Sequence, residues 1–105
     1  MTTSRIEVFE QMLAADPDNA MVLFGLAKEY EKAGRDADVI ASLAKYLRLH
    51  DDEGNAYGML ARAYERAGKR DEARKTYERG VEVATAHGHP SMAEDYRMTL
   101  AELED

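Results

Sequence analysis

The sequence predicts an all-α fold in which neighbouring helices pair as antiparallel hairpins. The 105 residues contain only two prolines and are rich in the helix-favouring residues Ala, Leu, Glu, Lys and Arg. Apolar residues recur three and four positions apart along most of the chain, the spacing of one helix face. A short stretch that ends at Gly34 also recurs 34 residues later, ending at Gly68. Self-similarity at such a period is typical of stacked helical hairpins.

The recurring stretch covers residues 26–35 in its first copy and 60–69 in its second. The copies read LAKEYEKAGR and LARAYERAGK, so six positions are identical and three of the other four exchange Lys and Arg. Each copy ends in a glycine, which adopts the left-handed backbone conformation at a helix end without a Cβ clash. Gly34 and Gly68 are therefore predicted to end one helix and to turn the chain into the next.

Six helices are predicted, covering about residues 4–15, 20–33, 36–50, 54–67, 70–87 and 91–103. Ser4 and Ser91 each precede a glutamate by three residues, the pattern of a capping box, and Asp36 is a candidate cap of the third helix. The acidic run at residues 51–53 is interpreted as a solvated turn between the hairpins.

The first and last helices are predicted to cap the ends of a single domain, residues 1–105. An isolated helical hairpin cannot bury both of its apolar faces, so stacked hairpins need neighbours or caps. The first helix, within residues 4–19, offers the stripe Ile6, Phe9 and Leu13, and the segment 90–105 offers Met92, Tyr96, Leu100 and Leu103. Helices of this kind at both ends favour a complete small protein, while the sequence leaves open that the chain is a piece of a longer repeat array.

Two consecutive segments of the chain resemble the tetratricopeptide repeat (TPR) family. The first segment, 20–53, supplies the family positions Leu23, Leu26, Ala27, Tyr30, Val39 and Leu43. The second segment, 54–87, supplies Tyr57, Leu60, Ala61, Tyr64, Ala73 and Tyr77, and is the closer match. Residues 4–19 align as the second half of a preceding repeat. The resemblance implies a TPR-like α–α superhelix, a right-handed solenoid of antiparallel helix pairs. Thr85 stands where the family has a proline, so the fifth helix is expected to be longer than usual.

The resemblance also implies a groove lined by the first helix of each hairpin. Its partner-binding positions correspond here to Met21, Phe24, Lys28, Lys32, Asn55, Met59, Arg62 and Arg66. Gly25 and Gly58 occupy further positions of the same groove. The cations recur at matching places in both repeats, and Phe24 and Met59 are candidate apolar anchors. Such a surface suits an acidic protein or peptide. Alternatively, Lys28 and Arg62 form ordinary surface pairs with the glutamates three residues later.

The expected function is that of a protein-protein interaction scaffold, and not of an enzyme. Homo-oligomeric assembly, as in a homodimer that uses the groove or the capping helix, is the alternative. No catalytic, cofactor-binding or metal-binding residues are predicted, because the chain has no Cys and His87 and His89 lie in a loop without a second ligand pair. A net charge of −7 disfavours nucleic acid and anionic membranes as partners, and the location is expected to be cytoplasmic.

Overall fold

The computed structural model describes residues 4–104, and within this range it contains six α-helices and no strand. The helices are α1 (Arg5–Ala15), α2 (Ala20–Lys32), α3 (Asp36–Leu49), α4 (Asn55–Arg66), α5 (Arg70–Ala86) and α6 (Pro90–Leu103). Each predicted helix is confirmed, with its ends no more than one residue from the expected positions. The helices fall into two compact units that divide between His50 and Asp51. Their grouping as one domain stays a prediction.

The first unit is built on the hairpin of α2 and α3. Leu23 and Leu26 of α2 are fully buried, and Ala27 beside them is also buried, so its small side chain permits a close helix approach. The helices are joined through Gly34, whose φ of 72° confirms the predicted left-handed turn. The N–H of Arg35 donates to the carbonyl oxygen of Tyr30 at 2.9 Å and closes the end of α2.

Helix α1 covers α2 by placing an aromatic ring on a glycine. A Cβ atom built on Gly25 would lie 3.1 Å from the ring of Phe9, so the ring sits where a larger side chain would stand. The Tyr30 hydroxyl donates to the carboxylate of Glu10 at 2.7 Å and fixes a second point of α1. The N-terminus of α1 is capped by the Ser4 hydroxyl, which accepts from the Glu7 N–H at 3.1 Å, as predicted.

The second unit consists of the α4–α5 hairpin and α6. Gly68 turns α4 into α5 with a φ of 76°, as predicted. The ring of Tyr96 on α6 contacts both Gly58 of α4 and Gly80 of α5, and its buried hydroxyl donates to the Gly54 carbonyl at 2.8 Å. Partly buried residues of the predicted closing stripe pack against the same cluster, namely Met92, Leu100 and Leu103.

Two predicted caps are wrong. Helix α3 begins with Asp36 already inside the helix, and its N-cap is Arg35, which makes no side-chain capping bond. Helix α6 likewise begins at Pro90, with His89 as N-cap, so Ser91 is the second helical residue. In both cases the left-handed glycine leaves only one residue before the next helix, which places the cap earlier than the side-chain pattern suggested. Proline suits the first helical position because its missing N–H would have no partner there.

The acidic junction at residues 51–53 does more than form a solvated turn. The Asp52 carboxylate accepts hydrogen bonds from the N–H groups of Gly54 and Ala56, at 2.8 and 3.0 Å, and so caps α4. The Glu53 carboxylate lies 2.9 Å from Nε2 of His89, at the start of α6. Helix α5 has 17 residues and is the longest of the described helices, as the threonine at position 85 led us to expect.

Replacing Asp52 tests the cap. We expect Asp52→Ala to lower the free energy of unfolding by about 1 kcal/mol, because two N–H groups at the start of α4 lose their acceptor. Urea unfolding followed by circular dichroism measures the change. The neighbouring Asp51→Ala is the matched control and should change stability by less than about 0.5 kcal/mol. Equal effects of the two substitutions would argue against capping.

Replacing Gly58 tests how α6 packs against α4. A Cβ atom there would lie 2.5 Å from the Tyr96 hydroxyl oxygen, so we expect Gly58→Ala to destabilise the protein by about 1–3 kcal/mol, although alanine favours helix. In a Tyr96→Ala background the clash is absent, and the same substitution should become neutral or stabilising. A double-mutant cycle from urea unfolding gives both values. Additive effects would contradict the proposed contact.

Candidate functional site

An exposed depression lies on the first unit, at the N-terminal half of α2. Its volume is about 350 Å³, and its lining residues, called here the α2 surface, are Ala20, Met21, Phe24, Gly25 and Lys28 of α2 with Tyr46 of α3. Met21 is 84% exposed, the most exposed large apolar side chain in the described part of the chain. Three of the four site residues predicted on α2 therefore lie together.

Aromatic contacts order the α2 surface. The rings of Phe24 and Tyr46 lie with centroids 5.4 Å apart, and the Tyr46 ring lies 5.7 Å from the imidazole of His50. Nε2 of His50 is 2.7 Å from the carbonyl oxygen of Asp18. Because a carbonyl only accepts, Nε2 carries the proton and donates it. The loop before α2 is thus attached to the end of α3, which holds one edge of the depression in place.

The predicted cations of α2 differ in their surroundings. Nζ of Lys32 lies 3.8 Å from the carboxylate of Glu29, which also accepts from Arg5. Nζ of Lys28 lies instead 5.2 Å from the ring centroid of Phe24, a cation–π distance. Within residues 4–104 Lys28 forms no ion pair, so the alternative that it pairs with Glu31 does not hold.

On α4 the predicted residues separate into exposed and buried ones. Asn55, Arg62 and Arg66 are exposed, whereas Met59 is only 8% exposed and belongs to the core. The prediction that Met59 is an accessible anchor is therefore wrong. Met59 is buried because helix periodicity places it on the same face as the fully buried Ala56 and Ala63.

The two glycines of the predicted groove are also covered. Gly25 is contacted by the Phe9 ring and Gly58 by Tyr96. Neither contact could be read from spacing within a repeat, because each covering ring comes from a helix outside the hairpin.

The Arg62–Glu65 pair, expected under the alternative interpretation, is likewise absent from the described residues. The Glu65 carboxylate accepts a hydrogen bond from the Tyr77 hydroxyl at 2.5 Å instead. Burial, reinforced by this bond, raises the pKa of Tyr77, and burial also raises the pKa of Tyr96, while the positive charge of Arg62 opposes both shifts. Arg62 thus lies near two hydroxyls that are neutral at neutral pH.

Other kinds of site find little support in residues 4–104. No three His, Asp or Glu side chains come together there in a way that could hold a metal ion. Among the described helices, none is both long enough and apolar enough to span a bilayer.

The paired helices and their recurring Leu, Ala, Tyr and Gly positions define the class of tetratricopeptide-repeat proteins. The sequence profile of the tetratricopeptide repeat matches residues 54–87. Over 99 residues the chain is 30% identical to the TPR repeat-containing protein PA0015 of Pseudomonas aeruginosa, and the alignment covers 94% of each. The chain therefore belongs to the TPR family.

A solved structure agrees with this fold. The chain is similar to protein BPP2914 from Bordetella parapertussis, whose solution structure superposes with a TM-score of 0.81. The match covers 98% of this chain and 90% of that protein at 24% identity, which supports the shared all-α, TPR-like fold.

The buried tyrosines predict a loss of stability at alkaline pH. Burial and the bond to Glu10 raise the pKa of Tyr30 from its ordinary 10.0 to about 12. Below pH 10 the phenol is neutral in both states, but between about pH 10 and 12 it ionises mainly in the unfolded chain. The free energy of unfolding should therefore fall as the pH rises through this range. Urea unfolding at pH 9, 10 and 11 measures the decline.

Tyr30→Phe should make this decline shallower, because the substituted chain has one phenol fewer to ionise on unfolding. Tyr64→Phe is the matched control, since Tyr64 makes no hydrogen bond to a carboxylate in the described part of the chain. If both variants follow the wild-type pH profile, burial of Tyr30 is not a source of alkaline sensitivity.

Proposed function

We propose that this protein is an interaction scaffold that receives an acidic peptide or helix on the α2 surface. TPR repeats generally mediate protein-protein interaction, and the family is a non-enzymatic repeat scaffold. The observation that carries the proposal is the position of the exposed Met21 beside a depression lined by Phe24, Tyr46 and Lys28.

The apolar part of the α2 surface supports binding of a large apolar side chain. Met21 is flexible and polarisable, so it adapts to ligands of different shape. Phe24 and Tyr46 already contact each other, and a ligand that covers them loses little side-chain freedom. Aromatic residues in partly formed pockets are common hot spots of protein interfaces.

The charges support an acidic partner. Although the chain has a net charge of −7, Lys28 at the rim of the depression has no paired carboxylate among the described residues. On α4, in the second unit, Asn55, Arg62 and Arg66 are also exposed. Local cations attract acidic ligands, and the negative charge of the rest of the protein repels such ligands elsewhere.

Variants of both helices test the proposal. Affinity capture with the wild type identifies a partner, and binding is then measured with purified proteins. We expect Phe24→Ala and Lys28→Glu each to weaken binding by roughly tenfold, the effect of losing an anchor or of reversing a charge. Lys75→Glu on α5 also adds negative charge at an exposed lysine and should leave the affinity unchanged.

The double variant Arg62→Glu/Arg66→Glu separates the contribution of α4. Weaker binding would assign these cations to the interface, and unchanged binding would limit it to α2. A partner that binds all variants with wild-type affinity would rule out the proposed surface.

Homo-oligomeric assembly is the second candidate. Val8 and Met12 lie one turn apart on α1 and are 43% and 47% exposed, and Met98 on α6 is 57% exposed. Apolar side chains on terminal helices favour contacts between copies. Light scattering over a range of protein concentrations decides this, because a mass that stays at that of one chain, 11.8 kDa, would exclude it.

A further inference from the structure

The ammonium group of Lys28 lies over the Phe24 ring, the aromatic group that an apolar ligand side chain would contact. Phe24 and Lys28 are four residues apart on α2, so their side chains lie one above the other on the same face. Nζ of Lys28 is 5.2 Å from the ring centroid, and Tyr46 contacts the ring at a centroid distance of 5.4 Å. The Phe24 side chain is thus already in contact with a cation and with a second ring.

This arrangement of Lys28 and Phe24 favours binding of some ligand groups over others. A purely apolar ligand group contacts the Phe24 ring only if it displaces the Lys28 ammonium group. The displaced ammonium group then has no new partner. A purely acidic group forms an exposed ion pair, which contributes little by itself. A ligand that carries both groups gives Lys28 a carboxylate and takes its place on the ring.

We propose that Lys28 is a specificity-determining residue that selects ligands in which a large apolar side chain and a carboxylate lie side by side. This inference rests on the proposed function, the binding of peptides at the α2 surface. In an extended peptide, residues two apart point to the same side at a separation of about 6.5 Å. Nζ of Lys28 lies 5.2 Å from the ring centroid while it covers the ring, and it has to move further away when a ligand side chain takes its place. A Glu–x–Phe sequence therefore presents its two groups at a suitable spacing.

Three blocked peptides test the proposal. The first is acetyl-Ser-Glu-Ser-Phe-Ser-amide, the second has Gln in place of Glu, and the third has Ala in place of Phe. Each is titrated up to millimolar concentration into labelled protein, and NMR shifts of Met21, Phe24 and Tyr46 report binding at the α2 surface. We expect the wild type to prefer the first peptide over the second by roughly two- to fivefold, the upper part of the range of an exposed ion pair. The third peptide should bind more weakly than the first.

The Lys28 variants distinguish a selective role from a simple loss of charge. In Lys28→Met the preference for Glu over Gln should disappear, and the Gln peptide should bind more tightly than it does to the wild type, because the ring is no longer covered by an ammonium group. Lys28→Arg should keep the preference. The exposed Lys75→Met on α5 is the matched control and should behave as the wild type. Circular dichroism confirms that each variant is folded.

The outcomes separate this inference from the proposed function. If the wild type binds the Glu and Gln peptides equally, or if Lys28→Met keeps the preference, Lys28 does not select ligands, although the α2 surface still binds peptides. If no peptide shifts the resonances of Met21, Phe24 or Tyr46, both proposals fail. Loss of the preference at high salt would support the role of the carboxylate, since exposed ion pairs are screened.

Discussion

The contact of an aromatic ring with a glycine is the interaction on which both units depend. In the first unit the Phe9 ring lies on Gly25, and in the second the Tyr96 ring lies between Gly58 and Gly80. A helix without a Cβ atom at the contact lets a flat ring approach the backbone, so an additional helix packs closely on the hairpin. At Gly58 this contact also buries a position of the predicted groove, whereas Gly25 stays partly exposed and lines the α2 surface.

Much of the fold could be predicted because it depends on short-range patterns. The repeated Leu–Ala–x–x–Tyr stretch and its glycine contain the apolar period, the small residue for close packing and the left-handed turn. All three act within one hairpin, and the structure confirms Gly34 and Gly68 in that conformation. The stripe of α6 was also legible, because Tyr96 lies on the same helical face as the apolar residues around it. Helix periodicity shows which residues share a face, and this does not depend on which neighbouring element covers that face.

The candidate site was harder to predict, because it depends on which side of a helix each neighbour covers. Met59 occupies a family binding position, yet it shares a stripe with Ala56 and Ala63 and is buried. Glu65 was expected to pair with Arg62 on its own helix, but the Tyr77 hydroxyl reaches it from α5. Asp52 seemed part of a charged turn until the fold brought two N–H groups to its carboxylate. A tyrosine twelve residues after a glutamate, across a hairpin turn, is the signal that could have revealed the Glu65 contact.

The charge arrangement on the α2 surface differs from the net charge of the chain, which is −7. Some arginines pair with a carboxylate of their own helix, as Arg79 does with Glu82 and Arg97 with Glu94. Such exposed pairs contribute little stability, but they neutralise cations that would otherwise attract anions. Among the described residues Lys28 has a ring as its neighbour instead of a carboxylate, so an unpaired positive charge lies beside the depression. The acidic ligand proposed above would therefore meet a cation without a paired carboxylate at the point where its apolar side chain also has room.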